Sequence, residues 1–383
     1  MQNTYIDEKF CKELLEKFIK VNTCQPLGNE GDMVKALLEV FPKDTPKLIL
    51  NHGENRQTLI LKINGEQRTG GIALIGHIDT VACGDESKWK YPPLKANYED
   101  GYIYGRGAAD MKGGVVVMVA TALTLLASNK RPKGDIYFCF TADEEKGGLG
   151  AVELSKLEEL NNVEEIFITE PSNEKIGISE KGALWLKVRT IGTQAHGSRP
   201  EVGINSIEKS LELYEEFKKC LDFNTKDKYL GYVTSAITKI SGGTMTNIIP
   251  AYAEMEIDIR TLTNINHEEL INSFKSIAKD MEKDGLSYEI EVLNNRPAAG
   301  VTEDSIIVKK VCNILNKLHM STEKKGIFFY TDASQIIPKN GKPFVIFGPG
   351  DDLLAHQTDE RIEVKSMVRV ANFYVNYIKE YYY

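Results

Sequence analysis

Five short stretches of this chain carry residues whose types and spacing suit metal chemistry. They are Gly-His77-Ile-Asp79, Asp110 inside Tyr-Gly-Arg-Gly-Ala-Ala-Asp-Met-Lys-Gly-Gly, Asp143-Glu144-Glu145, Thr-Glu170-Pro, and Ala-His356-Gln. Imidazole and carboxylate donors with little sulfur form a set suited to zinc or a neighbouring divalent ion. Two histidines and three carboxylates exceed what one catalytic zinc needs. They suit two ions roughly 3.5–4 Å apart that share one carboxylate. Asp79 lies two residues from His77 on the same strand face, placed to take the imidazole's second N–H. Of Glu144 and Glu145, one can bind metal while the other serves as a base towards water.

Alone, each stretch is weak, because an acidic triplet or a single histidine is commonly a solvated loop feature. His52, His267 and His319 have no such company and read as surface residues, and Cys83 reads as a buried structural thiol. The glycine-rich stretch around Asp110 is not a phosphate loop, since Lys112 is followed by Gly113 and no Ser or Thr follows. No G-x-S-x-G is present to supply a nucleophilic serine.

What joins the stretches is the elements before them. Apolar runs over 59–63, 72–75, 136–140, 166–168 and 344–347 have strand length and are bounded by Gly, Pro, Asp or Asn. Four of them end just before His77, Asp143, Glu170 and the loop to His356. Helical patterning covers 8–20, 31–40, 115–127 and 150–160. Such alternation predicts an α/β unit with a mostly parallel sheet covered by helices. Ligands of such sheets bind beyond the carboxyl ends of the strands.

The middle of the chain has a different rhythm. Strand-like runs over 184–191, 232–240, 252–259 and 288–293 alternate with helical periods over 204–220 and 267–283. That order, βαββαβ, predicts an inserted α+β ferredoxin-like domain over 180–292, with 1–179 and 293–383 forming the catalytic domain.

Composition narrows the partners. The balance of 47 Lys and Arg against 55 Asp and Glu, a net charge of −8, disfavours nucleic acid and anionic membrane surfaces. The polar opening, 1–10, shows no secretory pattern, and the apolar run 115–127 is too short to span a bilayer. Six cysteines without a C-x-x-C pair predict free, mostly buried thiols in a reducing cytoplasm.

In order along the chain, GHIDTV, DGYIYGRGAADMKGG, TADEEKGG, TEPS and GPG…AHQTDE resemble the co-catalytic zinc amidohydrolases and metallopeptidases. That family includes acetylornithine deacetylase, succinyl-diaminopimelate desuccinylase and bacterial carboxypeptidases. The resemblance implies that His77, Asp110 and Glu170 hold one ion, and Asp110, Glu145 and His356 the other, with Asp110 bridging. The ions would be zinc, with cobalt or manganese as alternatives. Glu144 becomes the general base and Asp79 the partner of His77.

In the inserted domain, Gln-Ala-His196-Gly-Ser-Arg-Pro resembles a lid motif whose histidine polarises the scissile carbonyl from a neighbouring subunit. Asn247 and Arg260 fall in stretches that resemble the family's site for a substrate carboxylate. Trp89 and Pro92 resemble packing landmarks. The implied enzyme is a homodimeric, cytoplasmic hydrolase of N-acyl amino acids. A dipeptidase or carboxypeptidase on the same scaffold, or a silent binding homologue, are its rivals. Phe329-Tyr-Thr-Asp-Ala-Ser334 keeps a family Thr-Asp-Ala core but lacks the Gly-Gly-Thr-Ser of the desuccinylase branch, so both narrower readings stay open.

Overall fold

A computed structural model describes residues 5–128 and 130–383; the polar opening read over 1–10 lies partly outside them. The chain forms two compact units. The first takes in Met1–Ser179, Gly300–Lys325 and Thr331–Tyr383, and the second Glu180–Ala299 with Gly326–Tyr330.

The first unit is built on a sheet in the order Lys47–Asn51, Gln57–Ile63, Ile136–Thr141, Gly71–His77, Val163–Ile168, Phe344–Ile346 and Ile176–Glu180. The four strands from Ile136–Thr141 to Phe344–Ile346 run parallel. Both strands before them and Ile176–Glu180 after them pair antiparallel. The sheet is therefore mixed, where a mostly parallel one was expected. The physical reason lies partly in connection length. Residues 52–56 between the first two strands are too few for a crossover, so that pair can only fold back as a hairpin.

The central strands read as continuous apolar runs because both faces are covered. Every residue of Gly71–His77 and Ile136–Thr141 is buried. Helix Gly113–Leu126 is apolar on nearly all sides and packs inside the unit. With the turn before it, Ala108–Leu126 is long and apolar enough to cross a membrane, and 89% of that window is buried in the fold. Such burial is that of a core helix. The helical run expected over 150–160 is broken into Leu149–Leu154 and Glu158–Asn161.

In the second unit, four antiparallel strands pair in the order Thr234–Gly242, Tyr252–Thr261, Gly182–Ile191 and Ser287–Arg296. Helices Ser206–Lys218 and His267–Met281 lie over one face. There Leu184, Leu186, Val188, Met255, Ile257 and Ile259 meet Leu213, Phe217, Leu270 and Phe274 in one core. The last strand continues through a bulge between Val292 and Asn294, so it runs beyond residue 292 to Arg296.

Two sequence expectations fail on burial. His267 opens a helix but is buried, with Nε2 2.7 Å from Thr261 Oγ1 and Nδ1 2.7 Å from Asn295 Oδ1. It is a satisfied core histidine. Among the cysteines only Cys11 and Cys139 are buried. Cys24, Cys83 and Cys312 are half-buried and Cys220 is exposed, because most of them sit on loops or helix flanks.

Candidate metal centre

The parallel strands deliver their terminal residues to one edge of the sheet. His77 is the last residue of Gly71–His77, Glu144 and Glu145 follow Ile136–Thr141 by a tight turn, and Glu170 follows Val163–Ile168 by one residue. Asp110 stands in an irregular turn just before helix Gly113–Leu126. His356 is reached after Phe344–Ile346 and adopts φ 63°, a left-handed conformation uncommon outside glycine.

Asp110 sits between the two histidines, one oxygen to each. Its Oδ1 is 3.0 Å from His77 Nε2 and its Oδ2 is 3.3 Å from His356 Nε2. Glu170 Oε1 lies 3.5 Å from the same nitrogen of His77, and Glu145 Oε2 lies 2.9 Å from that of His356. Two sets of donor atoms within 4.8 Å of one another emerge: His77, Asp110 and Glu145, and His77, Glu144 and Glu170. The structure thus gathers His77, Asp110, Glu144, Glu145, Glu170, His356 and Asp79 in the first unit. His196, Asn247 and Arg260 belong to the second.

Electrostatics show what this cluster needs. Burial, only partly offset by His77, holds Glu170 well above the usual carboxylate range, and Asp110, Glu144 and Glu145 push the same way. Burial and the charge of Asp110 raise Glu145 as well. Hydrogen bonds to Asp110 and Glu145 push His356 up to about 10. Burial opposes charge on His77, yet Glu170, Asp110 and Asp79 keep its imidazole well above the ordinary value. The carboxylates are balanced only by making both rings cationic. A divalent cation supplies the same positive charge and leaves both imidazoles neutral, as ligands must be. Donor chemistry, burial and spacing all fit divalent ions.

A supporting layer orients these groups. Asp79 Oδ1 accepts from Glu144 N–H at 3.1 Å, and its Oδ2 accepts from Glu145 N–H at 3.2 Å and from Gln25 Nε2 at 2.7 Å. Its nearer link to His77 Nδ1 is its backbone carbonyl, at 3.0 Å, with the carboxylate at 3.6 Å. Asp79 therefore anchors the Glu144–Glu145 turn as much as the histidine. Behind that turn, Arg56 Nη2 bridges Glu30 at 2.6 Å and Asp143 at 2.9 Å. Glu360, fully buried, accepts from the backbone N–H groups of Gly107, Ala109 and Asp110 and from Arg106.

Sequence reasoning passed over Gln25, Arg56 and Glu360 as positioning residues. Only Glu360 carried a signal, as the last letter of AHQTDE. Cys83, read as a buried thiol, is half-buried with its Sγ 3.6 Å from that of Cys24. Trp89 is buried, with Nε1 donating to the Cys83 carbonyl.

In the second unit, His196 pairs with Ile248 across a short strand pair, and Asn247 O accepts from Gly197 N–H at 2.7 Å. His196 Nδ1 accepts from Ser198 N–H at 3.1 Å. That hydrogen bond assigns the neutral ring's proton to Nε2, making it a donor. Arg260 donates through Nε and Nη2 to the two carboxylate oxygens of Asp258 at 2.8 and 3.0 Å.

The chain is similar to known proteins over nearly its whole length. Residues 73–380 match the profile of peptidase family M20/M25/M40. A probable succinyl-diaminopimelate desuccinylase of Staphylococcus aureus is 30% identical, the alignment covering 98% of this chain and 100% of that one. In fold, the chain is similar to the aminopeptidase PepT of Bacillus cereus, with TM-score 0.78 and 22% identity over 98% of this chain and 99% of that one. It is also similar to a dinuclear metal binding peptidase of Bacillus subtilis, with TM-score 0.70 and 18% identity over 97% and 98% of the two chains. The chain belongs to peptidase family M20/M25/M40 and is a metal-dependent hydrolase of amide or peptide bonds.

Proposed function

We propose that the chain hydrolyses the amide bond of N-acyl amino acids, with two divalent ions, zinc foremost, held by His77, Asp110, Glu170, Glu145 and His356. The observation that carries this reading is Asp110, which offers one carboxylate oxygen towards each histidine. Bound ions of this kind lower the pKa of water and polarise a carbonyl oxygen. Glu144, beside them, takes the proton of the attacking water and returns it to the leaving amine. Asp79 keeps His77 and the Glu144 turn in place. His196, with its proton on Nε2, donates to the carbonyl oxygen as negative charge develops there. Asn247 and Arg260 hold the substrate's free carboxylate, for which a planar guanidinium is suited.

The second unit is, in this reading, a ferredoxin-like lid and dimerisation domain inserted into a cytoplasmic homodimer. Its strand order and the edge of Thr234–Gly242, unpaired among the described residues, support that reading. A dipeptidase or carboxypeptidase on the same scaffold is the second reading, supported by the peptidase family to which the chain belongs. Assay of N-acetyl and N-succinyl amino acids beside dipeptides, with zinc, cobalt or manganese, separates the two. Turnover of acyl amino acids over dipeptides is expected. Exclusive turnover of dipeptides overturns the deacylase reading.

A further inference from the structure

Cys24 and Cys83, 59 positions apart in the chain, meet in the first unit with their sulfurs 3.6 Å apart. The segment that leaves the His77 strand brings them together. Cys24 bridges to Thr80 in parallel, Gln25 N–H donates to the Thr80 carbonyl at 2.8 Å, and Thr80 N–H donates to the Thr23 carbonyl at 3.1 Å. Three residues after Thr80, the loop carries the Cys83 thiol back against Cys24. Both cysteines are half-buried, and the residues on either side of Cys83 are exposed. A small oxidant in water can reach the pair.

Each cysteine is tied to one support of the metal cluster. Next to Cys24, Gln25 donates through Nε2 to Asp79 Oδ2 at 2.7 Å, and Asp79 holds the Glu144–Glu145 turn. On the other side, the Cys83 carbonyl accepts from Trp89 Nε1 at 3.0 Å, and Arg106 lies over the Trp89 ring with Cζ 5.0 Å from its centroid. Arg106 in turn donates to Glu360, which holds the backbone of Asp110. The two thiols are not equivalent. The hydrogen bond from Cys83 lowers the Cys24 thiol against burial, and Thr80, Lys112 and Arg106 act in the same direction. An accessible thiolate beside a second thiol is the arrangement that oxidants address first.

We propose that Cys24 and Cys83 form a reversible oxidation site, closed to a disulfide by hydroperoxides, and that closure weakens metal retention and turnover by drawing Gln25 off Asp79. The regulatory part rests on the reading of the cluster as a metal centre. The Cys24 thiolate attacks one peroxide oxygen, the O–O bond breaks, and the departing hydroxide takes the proton that Cys24 gave up, forming water. Cys24 is left as a sulfenic acid. The Cys83 sulfur then attacks that sulfur, the S–O bond breaks, and the hydroxyl leaves with the Cys83 proton as a second water. Two electrons have passed from the thiols to the peroxide. A dithiol returns them by exchange and reopens the pair. An S–S bond cannot span 3.6 Å, so closing it pulls the two segments together. Backbone bonds to Thr80 flank Cys24 on both sides, so the pull is passed to its neighbour Gln25.

Zinc-loaded enzyme treated with hydrogen peroxide should lose the mass of two hydrogen atoms, and non-reducing peptide mapping should join the peptides carrying Cys24 and Cys83. The oxidised enzyme is expected to turn over about tenfold more slowly and to release zinc to a chelator about tenfold faster, the effect of losing a group that orients metal ligands. Dithiothreitol should reverse both changes. Cys83→Ser should match wild type when reduced, form no link, and keep its slow zinc release after peroxide. Dimedone should tag Cys24 in that variant, marking it as the sulfur that meets the peroxide. Gln25→Ala, which lacks the donor to Asp79, should release zinc fast when reduced and change little on oxidation. Absence of the Cys24–Cys83 link, a link that leaves turnover and zinc release unchanged, or equal peroxide damage to Cys83→Ser would overturn the site. Zinc release needs no substrate, so failure of the acyl amino acid reading leaves the test standing. An enzyme that takes up no zinc would sink the metal reading, while the mass measurement still decides whether the two cysteines close.

Discussion

Glu360 accepts the backbone N–H of Asp110 at 2.9 Å, so the residue that faces both histidines is held by a carboxylate 250 positions away. The same side chain takes the N–H groups of Gly107 and Ala109, and Arg106 Nη1 donates to it at 2.7 Å. Glu360→Gln replaces one acceptor oxygen by a donor that faces other donors. The expected cost is about 1–3 kcal/mol for the groups left unmatched in the interior. Thermal unfolding should shift down accordingly, and the metal-to-protein ratio after gel filtration should fall, because Asp110 loses its fixed orientation. A variant with unchanged metal content would show that the Asp110 turn holds itself.

Glu144 and Glu145 are adjacent yet should respond differently to the same change. Glu144→Gln is expected to keep bound metal and lose nearly all turnover, since an amide accepts no proton from water. Glu145 lies 2.9 Å from His356, and Glu145→Gln should lower the occupancy of one ion preferentially. Elemental analysis beside a single-turnover assay reads both. Near wild-type activity of Glu144→Gln at unchanged metal content would remove its role as base.

How legible was this site? The positions of His77, Glu144, Glu145 and Glu170 could be read because a strand in a doubly covered sheet is a short apolar run, and the residue after it is marked by chemistry alone. Gln25 and Arg56 could not, since each acts across a long loop closure and an isolated Gln or Arg carries no periodic signal, and Glu360 stood only as the last letter of AHQTDE, with nothing in the sequence to show which backbone groups it holds. The antiparallel flanks of the sheet were equally hidden, because an apolar run of strand length has no direction written in it. His267 misled for a related reason. It opens a polar helix, and only the strand ends carrying Thr261 and Asn295 enclose it.

Cys24 and Cys83 should differ in reactivity although their sulfurs are 3.6 Å apart. The hydrogen bond from Cys83 brings the Cys24 thiol down to about 6, against the effect of burial, with Thr80, Lys112 and Arg106 adding to it. The Cys83 thiol is pushed up by the same contact and by burial. Iodoacetamide at pH 7 should therefore label Cys24 several-fold faster than Cys83, with the Cys24 rate rising as pH passes through about 6. Peptide mapping by mass spectrometry follows each site. Equal labelling, or a Cys24 rate that rises only near pH 9, would mean the two thiols do not share a proton in this way.

Assembly gives the last test. In the proposed homodimer each His196 serves the metal cluster of the other subunit, so a single chain holds Glu144 and His196 that never act on the same substrate. Symmetric dimers in which one patch meets its own copy are the commonest soluble oligomers. Among the described residues, the outer strand Thr234–Gly242 leaves one backbone edge of the second unit unpaired for such a contact. Glu144→Gln and His196→Ala chains should each be inactive as homodimers. Mixed under conditions that exchange subunits, they form heterodimers in which one site lacks both groups and the other retains both. Up to about a quarter of wild-type activity per chain is then expected from a statistical mixture, where half the dimers are hybrid and each has one intact site. Native mass spectrometry counts the heterodimers independently of activity. A monomer in solution, or hybrids that form without recovering turnover, would confine His196 to its own subunit and remove the exchange between them.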